Sequence, residues 1–573
     1  MALKMQDAFI SPRERLHAAA RDNDIKAIEA FLRDGPSGDL HYVNPIWGTP
    51  LHVAVWCAHP QVVRLLLDRG ADPLLEHDQA LTHDSAMHIA AQRGNWEIMP
   101  MLWYRVDPEL HANELSSCLE QAATYGQSSF VDWFLSVWEG WEMATKERAL
   151  RAAVSRWRFK VVDILLRRIE YSEKVLYEML GQACSFKIPL PGEIHSEYEG
   201  EDYQDQQRII ERLVESGLNP DGSISDEPFL HQAANYIELW RALEALLNKG
   251  ANADIKDRKG QTLLHKLTFP IPVRNMSGEC RIHQKGIELL LRNGASTSIK
   301  NSDGETPLDY AAFAFGLDNF QLYLPAPAPP HLLTELNDHG ESLLHYAAAG
   351  ANVDVLEYLL CRDLDINARN NNGWTPFMCA LANTSKGMHK RGPFSQVHEK
   401  TCDEAVSAAV YLLSRQADPN VVTMEGWTPL HSLAAYIDTE DSSNSEAATL
   451  AHQLIRQGAD IEARAAAFLL GWEEKHRKTA MEMPFYTPLP WGFRVNAIMK
   501  QLPGAVRQGI TPLHWAAENG SLYMVRLLLL CGADASAEDE KRSTPETTAR
   551  YSTRLARKPE LKEKIINLLK ERE

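Results

Sequence analysis

The chain has 573 residues, a formal net charge of −18, 45% apolar residues and 24% charged residues. This length exceeds what one hydrophobic core supports, so we expect several domains or one elongated array, with the composition of an ordinary folded protein. The negative charge opposes binding to nucleic acid, and no segment approaches the roughly 18 apolar residues of a membrane span.

The cysteine pattern and the first residues bear on location. The eight cysteines include no Cys-x-x-Cys pair, and the start MALKMQDAFISPRERL lacks the apolar core of a signal peptide. Both features favour reduced thiols in an intracellular protein. We therefore expect the chain in the cytoplasm, the nucleus or both.

Residues 1–107 contain the first copies of a recurring pattern. RLHAAARDNDIKAIEAFLRDG begins at Arg15, GTPLHVAVWCAHPQVVRLLLDRGADP at Gly48 and SAMHIAAQRGNWEIM at Ser85. In the clearest copy, which begins at Gly509, a threonine can cap a helix and a proline occupies its first turn. Small residues follow, then a turn and a second apolar stretch. The pattern predicts two antiparallel helices in each copy, which must stack on further copies to bury their apolar faces.

Residues 108–220 keep the helix-pair pattern but lose the Thr-Pro-Leu-His motif. EQAATYGQSSFVDWFLSVW and RAAVSRWRFKVVDILLRR predict degenerate helix pairs. A mobile acidic loop, PGEIHSEYEGEDYQD, is predicted from Pro191. Five tryptophans in or beside the degenerate repeats are predicted to be core residues: Trp96, Trp103, Trp133, Trp138 and Trp157.

Residues 221–464 return to clearer repeats, with copies beginning at Phe229, Gln261, Gly304, Gly340, Gly373 and Gly426. The intervals between copies vary, which indicates insertions. Three of these, at 269–284, 384–403 and 437–447, fall between the first and second helix of a repeat. We expect them to be solvent loops at the edge away from the turns that precede the first helices.

Residues 465–508 form a different insertion, because it lies between GADIEAR and GITPLH, where one repeat passes to the next. AAAFLLGWEEKHRKTAM predicts a helix with Phe468, Leu469 and Trp472 on one side. The segment that follows is rich in proline and aromatic residues, and the insertion as a whole carries excess positive charge in an acidic chain.

Residues 509–573 hold the clearest copy and a predicted capping helix. GITPLHWAAENGSLYMVRLLLLCGADASAED begins at Gly509. Thr511 is predicted to cap the first helix, Gly520 to allow the turn and Gly532 to end the second helix. The final helix is predicted from Ile565, Ile566, Leu568 and Leu569.

These motifs resemble the ankyrin repeat family: Thr-Pro-Leu-His, two small residues, a leucine-rich helix and Gly-Ala-Asp recur in register. The resemblance implies an all-α solenoid of helix pairs with β-turn fingers, with roughly 12–14 repeats over residues 16–569. It leaves no room for an appended catalytic domain. It also implies a structural role for the fourth residue of the motif, the histidines His17, His52, His88, His231, His265, His345, His431 and His514.

The family resemblance implies a concave binding face, and we therefore expect a non-enzymatic scaffold that binds a protein partner in this groove, with the 465–508 insertion as lid or clamp. No cofactor, metal, nucleic acid or membrane partner is expected, and we expect a monomer. His77, His83, Asp78 and Asp84 match no metal-ligand spacing. The predicted protein-binding residues are Trp374, Trp427, Tyr436, Trp472, Trp491, Phe493 and Arg494.

An alternative from another class stays open: an enzyme or small-molecule binder with its pocket between the insertion and the groove. The sequence has no phosphate-binding loop, HExxH or GxSxG motif. The candidate acid-base groups for this alternative are Glu473, His476, Tyr486 and Arg494.

Overall fold

The chain folds into two compact units in a computed structural model. The described residues are 14–34, 40–79, 82–185, 200–224, 226–235, 237–268, 271–272, 280–302, 304–325, 329–381, 402–434, 446–468, 506–552 and 555–571. The N-terminal unit is Met1–Asn252 and the C-terminal unit is Ala253–Glu573. Each unit consists mainly of paired helices, so the predicted all-α class is confirmed.

The described helices of the N-terminal unit follow one another in pairs. They are α1 Arg15–Arg21, α2 Ile25–Asp34, α3 Pro50–Trp56, α4 Pro60–Asp68, α5 Ala86–Arg93, α6 Met99–Trp103, α7 Ala112–Thr124, α8 Ser128–Val137, α9 Met143–Ser155, α10 Phe159–Arg168, α11 Glu173–Ala183, α12 Gly200–Glu215, α13 Phe229–Ala233 and α14 Trp240–Asn248. Two antiparallel hairpins pair β1 His77–Gln79 with β2 Thr82–Asp84, and β3 Ser223–Ile224 with β4 Glu227–Pro228.

The helices of the N-terminal unit pack in two rows. The first helices of successive pairs contact one another from α1 to α13, and second helices contact one another between α2 and α4, α4 and α6, α8 and α10, and α10, α12 and α14. The degenerate region follows the same rule, so the helix pairs predicted within 108–220 are confirmed. The predicted acidic loop is shorter than expected, because its last residues belong to α12.

The C-terminal unit continues the paired arrangement. Its described helices are α15 Leu263–Leu267, α16 Gln284–Arg292, α17 Pro307–Ala314, α18 Leu317–Leu322, α19 Pro330–Thr334, α20 Leu343–Ala349, α21 Val353–Leu360, α22 Pro376–Leu381, α23 Cys402–Ser414, α24 Pro429–Ala434, α25 Glu446–Arg456, α26 Pro512–Asn519, α27 Leu522–Leu530, α28 Pro545–Tyr551 and α29 Pro559–Lys570. Antiparallel strand pairs join β5 Ile271–Pro272 to β6 Cys280–Arg281, and β7 Ala465–Phe468 to β8 Val506–Ile510.

The first helices of the C-terminal unit also stack on one another, from α15 through α17, α20, α22, α24 and α26 to α28. The three shorter insertions separate α15 from α16, α22 from α23 and α24 from α25, which confirms their predicted position between the helices of a repeat. The predicted final helix is α29, which packs on α27 and α28 and buries Ile565 and Leu569.

Local chemistry explains why the clearest repeat folds as predicted. Thr511 caps α26, since its Oγ1 accepts a hydrogen bond from the backbone N–H of His514. Gly520 ends α26 in a left-handed conformation at φ 82°, which a residue with a Cβ adopts only at a cost. Ala516 and Ala517 are fully buried, so α26 can approach its neighbours closely. Leu528 of α27 is also fully buried.

Candidate functional site

The turn before a first helix, which we call a finger, is held by the histidine of the repeat motif wherever that histidine is present. In the last intact copy, the Nδ1 atom of His514 lies 2.9 Å from Thr511 Oγ1 and accepts a hydrogen bond from the Thr511 N–H. Its Nε2 atom lies 2.9 Å from the carbonyl oxygen of Ser543 in the next finger. One imidazole therefore closes its own helix cap and joins two neighbouring repeats.

The same contact recurs along the chain. The Nε2 atom of the motif histidine meets an oxygen of the next repeat at His17, His52, His88, His265, His345 and His431. Burial lowers the pKa of His345 and of His431 to about 4, so both rings are neutral near pH 7. The structural role predicted for these histidines is confirmed, and His231 is likewise buried.

Main-chain hydrogen bonds join the tips of successive fingers in the C-terminal unit. The amide of Asn371 donates to the carbonyl of His339 at 2.9 Å, and the next residue, Asn372, accepts from the amide of Met424 at 3.0 Å. Further bonds of this kind run from Ser302 to Lys259, from Ala466 to Glu425 and from Glu540 to Gln508. We call these linked tips the finger row. Its main chain is fixed, while side chains such as Met424, 76% exposed, face solvent.

The 465–508 insertion begins and ends as a β-hairpin in the finger row. Ala465 pairs with Ile510, Ala467 with Arg507 and Phe468 with Val506. The predicted helix from Ala465 is therefore wrong over Ala465–Phe468. Alanine favours helix locally, but here the backbone hydrogen-bonds to β8 and to the neighbouring finger, and such tertiary pairing overrides local propensity. The insertion does occupy a finger position, as the sequence indicated.

Trp427 lies at the base of this hairpin and is half-buried. Its indole Nε1–H donates to the carbonyl of Ala466 at 2.7 Å. Its ring meets that of Trp515, on α26, edge to face with centroids 5.4 Å apart. Gly426, at φ 81°, permits this approach because a Cβ there would collide with the carbonyl of Arg464. Trp427 thus ties its finger to the insertion and to the following first helix.

Trp374 occupies the equivalent position one finger earlier, but it is only 3% exposed. Its prediction as a protein-binding residue implied an exposed side chain, and that implication is wrong. The residue after the finger glycine turns inward in three successive repeats, since Glu305 and Glu341 at the same position are also fully buried. Trp374 can shape a binding surface from beneath but presents almost no area to a partner.

The other predicted binding residues, Tyr436, Trp472, Trp491, Phe493 and Arg494, lie outside the described residues. So do the candidate acid-base groups Glu473, His476 and Tyr486. His77, Asp78, His83 and Asp84 fall on β1 and β2, in the predicted finger. Within the described ranges, no group of three or more histidine, cysteine, aspartate or glutamate side chains is arranged to hold a metal ion.

A buried polar network that the sequence reasoning missed connects three fingers. Glu341 accepts hydrogen bonds from Asn337 Nδ2 and Asn370 Nδ2, both at 3.0 Å. Tyr346 links this site to the previous finger, because its hydroxyl donates to Glu305 Oε1 at 3.2 Å and accepts from Asn337 Nδ2 at 2.9 Å. The signal was present: Asn-x-x-Gly-Glu followed by tyrosine five residues later occurs at 301–310 and 337–346.

Burial sets the charge state of this network. Desolvation raises the pKa of Glu341 to about 7, although the two asparagine donors act in the opposite direction. Desolvation and the nearby Glu305 and Glu341 raise the pKa of the Tyr346 hydroxyl well above its ordinary value. The tyrosine therefore stays protonated, and Glu341 changes its protonation state near neutral pH.

The tryptophans predicted as core residues of the N-terminal unit differ in their burial. Trp103 and Trp157 are buried as predicted, and Trp133 and Trp138 are half-buried. The prediction is wrong for Trp96, which is 49% exposed. Trp96 lies in the turn before α6 and stacks on Phe130 with ring centroids 5.0 Å apart, so one face of the indole is covered.

Sequence models of a known family match three parts of the chain. A model described as the ankyrin repeat matches residues 48–78 and 508–540, and a model described as ankyrin repeats in many copies matches residues 344–389. The matched segments include the finger row around Trp374 and the repeat of His514. None of the described helices is long and apolar enough to cross a membrane.

Similar proteins share a limited segment with this chain. Human transient receptor potential cation channel subfamily A member 1 is 37% identical over 87 residues, which is 15% of this chain and 8% of that protein. Two rice proteins (Oryza sativa subsp. japonica) also match. Probable E3 ubiquitin-protein ligase XBOS32 is 30% identical over 118 residues, 20% of this chain and 23% of that protein. Probable E3 ubiquitin-protein ligase XBOS33 is 35% identical over 89 residues, 16% of each chain. The chain thus spans less than a quarter of the length of each of these relatives.

Proposed function

The chain is an ankyrin-repeat protein, and we propose that its C-terminal unit is a non-enzymatic scaffold that binds a segment of a partner protein. The observation that carries the proposal is the finger row, in which main-chain hydrogen bonds hold successive tips in place while side chains such as Met424 stay exposed. A preorganised surface loses little conformational entropy on binding. The partner would lie along the concave face formed by fingers and first helices.

The hairpin of β7 and β8 supports a role for the 465–508 insertion as lid or clamp over this face. Both strands belong to the finger row through the Ala466–Glu425 and Gln508–Glu540 hydrogen bonds. Trp427 adds a side-chain bond at the base of the hairpin. A segment that begins and ends in the finger row starts beside any ligand bound there. We include Trp427 and the predicted residues Tyr436, Trp472, Trp491, Phe493 and Arg494 in the binding surface, with Trp374 supporting it from below.

The non-catalytic part of the proposal rests on how the motif histidines are used. Most bond both ring nitrogens within the scaffold, as His431 does with Thr428 and Ile510, so they are not available for proton transfer. The relatives are named as a cation channel and as probable ubiquitin ligases, and they share only a short segment with this chain. Because similar short segments occur in proteins with such different names, we favour binding, not catalysis, as the function of these segments.

We also propose a monomer in the cytoplasm, the nucleus or both, without a nucleic-acid or membrane partner. The charge of −18 supports the exclusion of nucleic acid, because it repels phosphates. Free thiols support a reducing compartment; the described free cysteines are Cys57, Cys118, Cys184, Cys361, Cys379 and Cys531. Sedimentation of the purified chain tests the oligomeric state.

Affinity capture tests the scaffold function. Wild-type protein is compared with a variant in which residues 469–505 are replaced by a short glycine-serine linker, which keeps β7 and β8. A second variant without residues 384–400, an insertion between the helices of a repeat, is the control. We expect the first deletion to lose or weaken a specific partner and the control to retain it. Equal recovery by all three proteins contradicts the lid or clamp, and no specific partner for wild type contradicts the scaffold.

A thermal-shift screen with metabolites separates the scaffold from an enzyme or small-molecule binder. A ligand that binds only the folded state raises the melting temperature with its concentration. We expect no metabolite to produce such a rise. A saturable rise that the 469–505 deletion removes would favour the small-molecule function.

A further inference from the structure

The repeat of α17 is one of three in the C-terminal unit without the histidine that joins a finger to the next; the other two have Met378 and Thr547 at this position. Its first helix, α17, begins TPLD, so Asp309 stands where the flanking repeats have His265 and His345. In those repeats the Nε2 atom reaches the next finger, at 3.0 Å from Glu305 O and 3.2 Å from Trp374 O. A carboxylate is shorter than an imidazole. The replacement therefore leaves space between this repeat and the finger at 337–341.

Asp309 keeps the helix cap with one oxygen only. Its Oδ2 atom accepts hydrogen bonds from the N–H and the hydroxyl of Thr306, each at 2.8 Å. Within the described part of the chain, Oδ1 has no hydrogen-bond partner. The residue is 5% exposed, and it lines the space between the two fingers. An oxygen without a protein donor can accept a hydrogen bond from a ligand that enters this space.

The space is a narrow crevice of about 20 Å³ that opens to solvent, which is room for one group the size of a water molecule or an ammonium. Asp309, Glu335 and Lys300 supply charged lining groups, and Leu332, Leu336 and Leu343 supply an apolar wall. Lys300 is engaged elsewhere, because its ammonium donates to Asp338 Oδ1 at 2.8 Å. The crevice thus combines a hydrocarbon wall with a buried carboxylate and a second carboxylate, that of Glu335, on an exposed residue.

Electrostatics favour a cation in this crevice. Burial raises the pKa of Asp309 to about 6, Glu335 acts in the same direction and Lys300 acts against it. An incoming positive charge stabilises the ionised carboxylate and so offsets part of the cost of its burial. An anion would meet two carboxylates, and an uncharged apolar group would leave Oδ1 without a donor.

We propose that the crevice binds a lysine side chain of the partner segment, with the methylene chain along the leucines and the ammonium donating to Asp309 Oδ1. A linear side chain with an apolar stem and a compact charged end matches this arrangement of groups. The inference rests on the proposed scaffold function and deepens it, since it gives the partner a basic anchor residue. The acidic chain then meets a positively charged ligand.

The probe for the experiment is Nα-acetyl-lysine amide, added to the full chain with ¹³C-labelled leucine methyl groups at pH 7.5. We expect saturable shifts of the Leu332, Leu336 and Leu343 methyl signals. Nα-acetyl-norleucine amide, which has a similar stem without charge, should give none. At pH 5 the response to the lysine probe should weaken, because Asp309 is then mostly protonated.

Two variants test whether the carboxylates of Asp309 and Glu335 bind the lysine probe. Asp309→His introduces the residue of the flanking repeats and fills the crevice, so affinity should fall more than about tenfold, as expected for a lost hydrogen bond to a charged group. Glu335→Gln changes an exposed side chain and should weaken the affinity for the probe by about twofold to fivefold. Equal shifts with both probes mean apolar contact only, and no shift up to the solubility limit means that the crevice holds water alone. Either result overturns the proposal.

Partner capture distinguishes this proposal from the scaffold function. If Asp309→His loses the probe response and also loses the captured partner, a lysine anchor is supported. If it loses the probe response but captures the partner at full strength, the anchor is wrong and the scaffold stands. If wild type captures no specific partner, the scaffold function fails, whatever the probe shows.

Discussion

Substitution of Glu341 by glutamine tests whether the buried polar network carries a titrating carboxyl group. The folded-state pKa is raised from an ordinary 4.5 to about 7. For a carboxyl group this direction means that the folded protein holds the proton more tightly than the unfolded chain does. Stability contributed by the protonated form is therefore present below pH 4.5 and is lost as the pH rises toward 7.

The size of the effect follows from the pKa interval. At about 1.4 kcal/mol per pH unit, the change from 4.5 to about 7 costs the wild-type protein about 3 kcal/mol between acid and neutral pH. Glu341→Gln removes this cost because the amide stays neutral. In this variant the new amide N–H₂ group faces the N–H₂ donor of either Asn337 or Asn370, and two donors cannot bond to each other. The variant is therefore destabilised at every pH. The expected signature is the pH dependence of the difference: from pH 5 to pH 8 the variant gains stability relative to wild type.

Native-state hydrogen exchange is the assay, because repeat arrays open in local segments and a global denaturation curve would average over them. Opening free energies are compared for the Asn337, Gly340 and Glu341 amides in wild type and variant at pH 5 and pH 8. Glu335→Gln, at a nearby exposed side chain, is the control and should show no such dependence. A variant-minus-wild-type difference that is the same at both pH values refutes the reasoning, since Glu341 is then ionised throughout.

Three further predictions concern packing and the finger contacts. His431→Leu should lower the opening free energy around Ile510 by about 1–3 kcal/mol, because the Ile510 carbonyl loses its buried donor, and hydrogen exchange of this finger measures it. In wild type, burial lowers the pKa of His431 from the ordinary 6.5 to about 4. The contribution of its neutral ring to the free energy of unfolding is therefore complete above pH 6.5. It should be lost as the pH falls toward 4, by about 3 kcal/mol in an acid titration of stability. Leu528→Ala should destabilise the last repeat by about 2–5 kcal/mol in urea unfolding, with Leu530→Ala, at an exposed position, as the near-neutral control. An equal loss for both leucines, or a His431 contribution that does not change with pH, would contradict these expectations.

Much of the fold could be predicted because the residues that begin and end the helices lie within each repeat. Thr511 and Gly520 mark where α26 begins and ends, and the motif histidines mark the contacts between neighbours. The intervals between repeats identified the insertions without any structural information. The degenerate pairs α7–α8 and α9–α10 were also predictable, since apolar spacing survives there after the Thr-Pro-Leu-His motif is lost.

The errors arose where a distant contact decides the outcome. Ala465–Phe468 forms a strand because its partner, β8, lies about 40 residues further along the chain, beyond any local window. Trp374 was predicted to bind a partner and therefore to be exposed, yet it is buried, as are Glu305 and Glu341 at the same position of their repeats. Conversely, Trp96 was expected to be buried but is exposed, because Phe130 of α8 covers only one face of its ring.

The finger row has a consequence for how this surface can change over evolution. Its tips are joined through backbone amides and carbonyls, which every residue except proline can supply. Substitutions at an exposed tip such as Met424 therefore alter what the surface recognises without altering how the surface is assembled. Substitutions at these exposed tips can therefore be sampled without disturbing the buried residues, such as Glu341, that hold the fingers together. At such a tip, the exposed side chain and the main chain have separate tasks on the same turn.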